Sequence, residues 1–152
     1  MRLRRHARAL ATVALSLAAS CSLESTGTAA SINLYVSVDQ STIDVGESMN
    51  ITLTARNVGY DVLTLTGPSD CLLFIEVLDN QGAVVYHSNG GCTGSSVTEE
   101  LQAGETKVQT FPWNGSNLAG ARLPPGFYHI RGVARLTGGA YNSPLLSIAL
   151  EG

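Results

Sequence analysis

Charge is scarce in this chain, and so are the residue types on which most site chemistry depends. Only 14% of its 152 residues are charged, which leaves too little Glu, Lys and Arg for a coiled coil or helical bundle. At 44% hydrophobic it is nonetheless too apolar to be disordered. Histidine and cysteine occur three times each, and no set of them has the spacing of a zinc site. No G-x-S-x-G elbow is present, and His87 and His129 lie in strand-like stretches away from any recognisable nucleophile, so nucleophilic catalysis lacks an assembled base. Glu99 and Glu100 are adjacent in an extended pattern, which points their carboxylates to opposite faces. The expectation is therefore a protein that is not an enzyme and takes no cofactor or metal. Long apolar runs are missing too. The longest near the N-terminus, 9–19, has eleven residues, against the roughly twenty that cross a bilayer as a helix.

What charge there is divides unevenly. Arg2, Arg4, Arg5 and Arg8 hold four of the nine basic groups. From Cys21 onward, Arg56, Lys107, Arg122, Arg131 and Arg135 face twelve acids, a net of −7. A phosphate backbone would repel such a body, so no nucleic acid is expected among its partners. The arginine-rich start, the apolar stretch and the small residues after it have the three parts of a secretory signal over residues 1–20. Leu17-Ala18-Ala19-Ser20-Cys21 further resembles a bacterial lipobox. That resemblance implies acylation of Cys21, which becomes the new N-terminus and holds the protein to the membrane of the cell envelope through lipid. Two or more acyl chains are what stable anchoring takes. Ala18 at −3 and Ser20 at −1 depart from the usual pattern, and small residues there also suit ordinary cleavage. The alternative is then a secreted protein without lipid. Residues 21–31, rich in Ser, Thr and Ala, read as a flexible tether.

Residues 32–152 form one domain, and its period is two rather than 3.6. Ile32, Leu34, Val36 and Val38 alternate with Asn33, Tyr35, Ser37 and Asp39. The same alternation, punctuated by Gly, Pro, Asn and Asp, predicts further strands over 49–56, 61–66, 71–78, 83–88, 96–101, 106–113, 127–136 and 144–150. About nine short strands with turns every eight to twelve residues indicate an all-β fold, a single immunoglobulin-like antiparallel β-sandwich. An antiparallel barrel is the competing architecture. Trp113, the sole tryptophan, reads as core more readily than as an exposed stacking platform.

Asp79-Asn80-Gln81-Gly82 is a tight turn between two strands. Taken as a simple hairpin, it sets Leu78 opposite Ala83, Ile75 opposite Tyr86 and Cys71 opposite Gly90. Cys92 lies two residues beyond, roughly 7 Å along an extended chain. Folding at Gly90 and Gly91 would bring it into bonding range. A Cys71–Cys92 disulfide is therefore expected in an exported protein, leaving Cys21 as the odd thiol.

The order of signals in the second half carries a resemblance. Leu72-Leu73-Phe74-Ile75-Glu76-Val77-Leu78-Asp79 is followed by Gly82-Ala83-Val84-Val85-Tyr86, Gly104-Glu105-Thr106, Trp113-Asn114-Gly115 and Leu123-Pro124-Pro125-Gly126-Phe127-Tyr128. This resembles the BsuPI-type domain, an immunoglobulin-like sandwich named for an intracellular proteinase inhibitor of bacilli. The resemblance implies a domain that binds a protein partner through its loops, with a secreted or envelope serine proteinase as the target class. Its runner-up is a non-inhibitory structural or interaction module of the bacterial cell envelope. Two loops are candidates, 88–95 and 115–125. Within the second, Arg122 stands before a rigid Pro-Pro and, by its side-chain character, is the candidate partner-binding residue.

Overall fold

The computed structural model describes residues 31–44, 46–88, 92–136 and 138–152. The expected signal (1–20), nearly all of the expected tether (21–31) and Cys21, the candidate lipidation site, lie outside the described residues.

Those residues form eleven strands: β1 (Ile32–Val38), β2 (Thr42–Asp44), β3 (Met49–Asn57), β4 (Leu63–Gly67), β5 (Leu73–Leu78), β6 (Val84–His87), β7 (Val97–Leu101), β8 (Thr106–Trp113), β9 (Gly126–Leu136), β10 (Gly139–Asn142) and β11 (Leu146–Glu151). They make two packed sheets. The smaller has the order β1-β3-β8, all antiparallel. The larger is organised by β9, which pairs with β10 and β11 and with β5 and β4, while β2, β6 and β7 extend it. The fold is an all-β sandwich.

Alternation decides which side chains fill the space between the sheets. Ile32 and Leu34 of β1 and Met49, Ile51, Leu53 and Ala55 of β3 turn inward, while Asn33, Asn50 and Arg56 face solvent. From the other sheet come Ile75 and Val77 of β5, Ile130 and Ala134 of β9, and Ile148 and Leu150 of β11. Each such branched side chain contributes about 1.5–3 kcal/mol on burial. At the middle of β9 the sheets approach too closely for any side chain but glycine. A Cβ on Gly132 would stand 2.1 Å from Cδ1 of Leu53 on the facing sheet.

The predicted strands are all present, with two short ones in addition. Thr42–Asp44 has three residues and Gly139–Asn142 is exposed throughout, so neither carries a readable alternation. The pairing is not wholly antiparallel: β2 runs parallel to β11. The chain leaves β1 at Val38 and crosses to the other sheet without reversing, so β2 keeps the heading of β1. Asp39 holds that crossing, its carboxylate accepting from the backbone N–H and the side-chain amide of Asn50, both at 2.9 Å. These bonds hold the Asp39 carboxyl below its usual range, the backbone bond contributing most.

An immunoglobulin-like feature closes the start of β9. The buried Tyr128 donates its hydroxyl to the carbonyl of Pro124 at 2.8 Å, the tyrosine corner that staples a crossing loop to the strand it enters. Burial, with the Asp79 carboxylate nearby, raises this phenol above its ordinary value of 10.0.

Candidate functional site

The β5–β6 hairpin differs from the simple tight turn, and the difference places the disulfide. Gly82 has φ 84° and its N–H donates to Asp79 O at 3.0 Å, while Asp79 N–H donates to Ala83 O at 2.9 Å. This is a three-residue connection with a glycine bulge, and the ladder slips again between Val77 and Leu78. Both irregularities add a residue to the second strand. Tyr86 therefore faces Val77 rather than Ile75, and His87 faces Glu76. Continued back five positions, this register sets Cys71 directly opposite Cys92. They are bonded, with Cα atoms 5.6 Å apart. The pairing is as expected, but a slipped register supplies the two missing residues. Asp70 beside the bond accepts from Thr93 N–H at 2.7 Å, and both thiols are consumed, so Asp70, Cys71 and Cys92 offer no metal-binding set. A disulfide is a bond of oxidising compartments, and no described helix is long and apolar enough to cross a membrane.

The other candidate loop lies at the turn end of the same hairpin. Six residues of β5 separate the ends, about 20 Å at strand rise, so the structure does not join the two loops into one site. Residues 116–122 form a second small hairpin closed by a Ser116–Arg122 bridge. Its tip repeats the chemistry of the first. Asn117 N–H donates to Ala121 O, Gly120 N–H donates to Asn117 O, and Asn117 Oδ1 accepts from Ala119 and Ala121, as Asp79 Oδ1 accepts from Gln81 and Ala83. Both turns read Asx-x-x-Gly-Ala in the sequence, Asp79 to Ala83 and Asn117 to Ala121. That repeated signal was sufficient to predict the second hairpin. Leu118 N–H then donates to Val85 O at 3.1 Å, covering part of the free edge of β6.

Between the 79–82 turn and the segment entering β9 is an open cleft of about 330 Å³, lined by Asp79, Asn80, Val85, Pro124, Phe127 and Tyr128 among others. Phe127 is 73% exposed, an unusual position for a phenylalanine with a strand behind it. Leu118 is also exposed on this end. Arg122 is exposed, but its guanidinium lies over Gly46, where a Cβ would meet Nη2 at 3.0 Å. It therefore rests along a neighbouring turn at the base of a hairpin instead of crowning an extended loop. Trp113 is core, buried against Tyr86 at 6.2 Å between centroids, with its indole N–H donated to Ser116 O. This end presents an aromatic face, two prolines, a carboxylate and a guanidinium beside turns closed by their own hydrogen bonds.

Other polar pairs stand apart from the cleft. His129 Nδ1 and Ser147 Oγ are 3.0 Å apart across the β9–β11 ladder, a pair legible only once that register is known. Among the described residues, His129 has no carboxylate partner to orient its ring as a catalytic base requires. Glu99 pairs with Lys107, linking the two sheets, and Glu76 with Arg131 at 2.6 Å. Partly exposed pairs of this kind contribute little to stability.

No family model matches the chain, and no curated protein is significantly similar to it. Solved structures share its architecture. The sporulation control protein Spo0M of Bacillus subtilis aligns over 80% of this chain and 50% of its own, with a TM-score of 0.56 and 12% identity. The alkylpurine DNA glycosylase AlkC of Pseudomonas fluorescens, bound to DNA containing an abasic site analog, aligns over 81% of this chain and 31% of its own, with a TM-score of 0.52 and 12% identity. The β-glucosidase EmGH1 of Erythrobacter marinus aligns over 79% and 15%, with a TM-score of 0.51 and 16% identity. The chain thus spans half or less of each of these proteins. At such identities the likeness is one of fold.

Proposed function

We propose that this chain is an exported β-sandwich, held to the bacterial cell envelope by lipid on Cys21, that binds a protein partner through the loops at its Phe127 end. The observation that carries this reading is the cleft of about 330 Å³ beside a 73% exposed Phe127. A volume at the small end of ligand sites suits one or two side chains of a partner better than a cofactor. The flanking turns are pre-formed, so little conformational entropy is lost on docking. An aromatic and an arginine are the residue types that dominate such interfaces. Anchoring on Cys21 is supported by the lipobox-like stretch and by the mutual consumption of the other two cysteines.

The resemblance to BsuPI-type domains favours inhibition of a secreted or envelope serine proteinase as the form this binding takes. The packing of Arg122 on Gly46 favours the second reading, an interaction module of the envelope without inhibitory activity, because a proteinase cleft accepts an extended, free-standing loop. The full chain titrated against a panel of secreted serine proteinases separates them. Stoichiometric inhibition that Arg122→Ala or Phe127→Ala weakens at least tenfold supports the inhibitor. Absence of inhibition across the panel removes it and leaves the module.

A further inference from the structure

The loop between β3 and β4 carries a fully exposed tyrosine at the point where the N-terminal segment joins the body. Tyr60 is 99% exposed, flanked by Val58 at 55% and Val62 at 48%. Loop tips are ordinarily polar, and this one is apolar at three of five positions. Its backbone is firmly held. Val58 N–H donates to Ser31 O at 2.7 Å, and Gly59 is so close to Ser31 that a Cβ would stand 2.6 Å from the serine Cβ. Asn57 fixes both ends of the loop, accepting from Gly59 N–H and donating to the carbonyls of Asp61 and Leu101. The apolar tip is thus tied to residue 31.

We propose that the 58–62 loop is a membrane-contact tip, with Tyr60 seated in the headgroup region of the bilayer that holds the lipid on Cys21. The inference rests on the anchoring reading above. Cys21 and Ser31 are ten residues apart, at most about 35 Å of extended chain. The eleven residues of β9 span a similar length, about 36 Å. A tether of that reach does not by itself decide which end of the sandwich meets the surface. An apolar tip beside the tether's attachment does. Tyrosine prefers the interface because its ring is apolar and its hydroxyl is wet. The contact need not be strong, since tethering makes it intramolecular and raises the effective lipid concentration. Asp61, exposed beside Tyr60, keeps its carboxylate in water and limits immersion to the headgroups. The consequence is orientation. The Phe127 cleft, at the other end of the sandwich, faces away from the membrane toward partners.

The test uses the full chain as an expressing bacterium processes it, with the state of Cys21 read by intact mass, mixed in detergent with phosphatidylethanolamine–phosphatidylglycerol lipid doped with brominated phosphatidylcholine and reconstituted into vesicles. Tyr60→Trp introduces a second indole, while Trp113, 2% exposed at the far end, serves as an internal reference. The expected result is that bromolipid removes most of the emission that Tyr60→Trp adds and leaves the parent's emission unchanged. Protein that floats with the vesicles while the added indole stays unquenched, with a water-like emission, overturns the membrane tip, leaves the anchor intact and makes a protein the occupant of the loop. Protein that does not float and carries an unmodified Cys21 by intact mass overturns both.

Discussion

Removing the side chain of Asn57 tests the polar organisation of the sandwich at a single point. Asn57 is 0% exposed yet fully paired. Its amide donates to Asp61 O at 2.8 Å and Leu101 O at 2.9 Å, and its oxygen accepts from Gly59 N–H at 2.9 Å. In Asn57→Ala the carbonyls of Asp61 and Leu101 and the N–H of Gly59 lose their partner. Asp61 is exposed and rehydrates, and Gly59 does so in part, whereas Leu101 is buried. One orphaned buried acceptor costs about 1–3 kcal/mol and each of the other two bonds about 1 kcal/mol, giving roughly 3–5 kcal/mol in total. A domain with the usual stability of about 5–15 kcal/mol survives this, measurably weakened. Equilibrium unfolding in urea, followed by the fluorescence of Trp113, reads it directly. With a slope of about 2 kcal/mol per M, the midpoint falls by about 2 M. Asn57→Asp is the sharper companion. It keeps the acceptor for Gly59 but turns an oxygen toward two carbonyls and buries a charge, so at neutral pH it loses at least as much as Asn57→Ala. Its deficit shrinks on acidification, because protonation removes the charge and restores a donor. An unchanged midpoint in Asn57→Ala, or an Asn57→Asp protein as stable as the parent at neutral pH, refutes the reasoning.

Gly132→Ala destabilises by about 1–3 kcal/mol through overpacking against Leu53, and a Leu53→Ala background lessens that loss, as a double-mutant cycle in urea will show. Tyr128→Phe removes the bond to Pro124 and costs about 1 kcal/mol. Because the folded Tyr128 value is raised above 10.0, its contribution is complete below the unfolded value and is lost as pH rises through the folded one. An ultraviolet titration of the folded protein should accordingly lose a late-ionising tyrosine in Tyr128→Phe. Reduction adds two hydrogen atoms to the intact mass, and replacing both Cys71 and Cys92 by Ala costs about 3 kcal/mol by loop entropy.

Strand positions were legible because the period of two is local. Ile32 to Val38 and Met49 to Ala55 declare their buried faces by apolar alternation, whereas in Thr106 to Trp113 only Phe111 and Trp113 do so, since Val108 faces solvent while Lys107 and Gln109 turn inward. Thr42–Asp44 and Gly139–Asn142 were not legible, because three residues or four exposed ones hold no alternation. The Cys71–Cys92 bond was foreseeable from hairpin proximity and the expectation of export, yet its geometry depends on the bulge between Val77 and Leu78, which no residue type there announces. The candidate site was half legible. Arg122 and its loop stood out by composition, and the hairpin under Arg122 was written in Asn117 to Ala121. The cleft was hidden, since it forms only where the 79–82 turn comes beside residues 123–128, more than forty positions later.

By itself the sequence determined the all-β class and the inward faces of strands such as β1 and β3, because these follow from short-range pattern: alternation of side chains, and glycines and prolines where the chain must turn. The tertiary structure alone decided which strands are neighbours. β2 lies parallel to β11, Gly132 sits under Leu53, and Ser31 is zipped to the Tyr60 loop at the end opposite Phe127. Backbone donors and acceptors are the same at every residue, so pairing between distant strands is chosen by how all the buried faces pack together. That choice is what sets the Tyr60 loop and Phe127 at opposite ends of the sandwich.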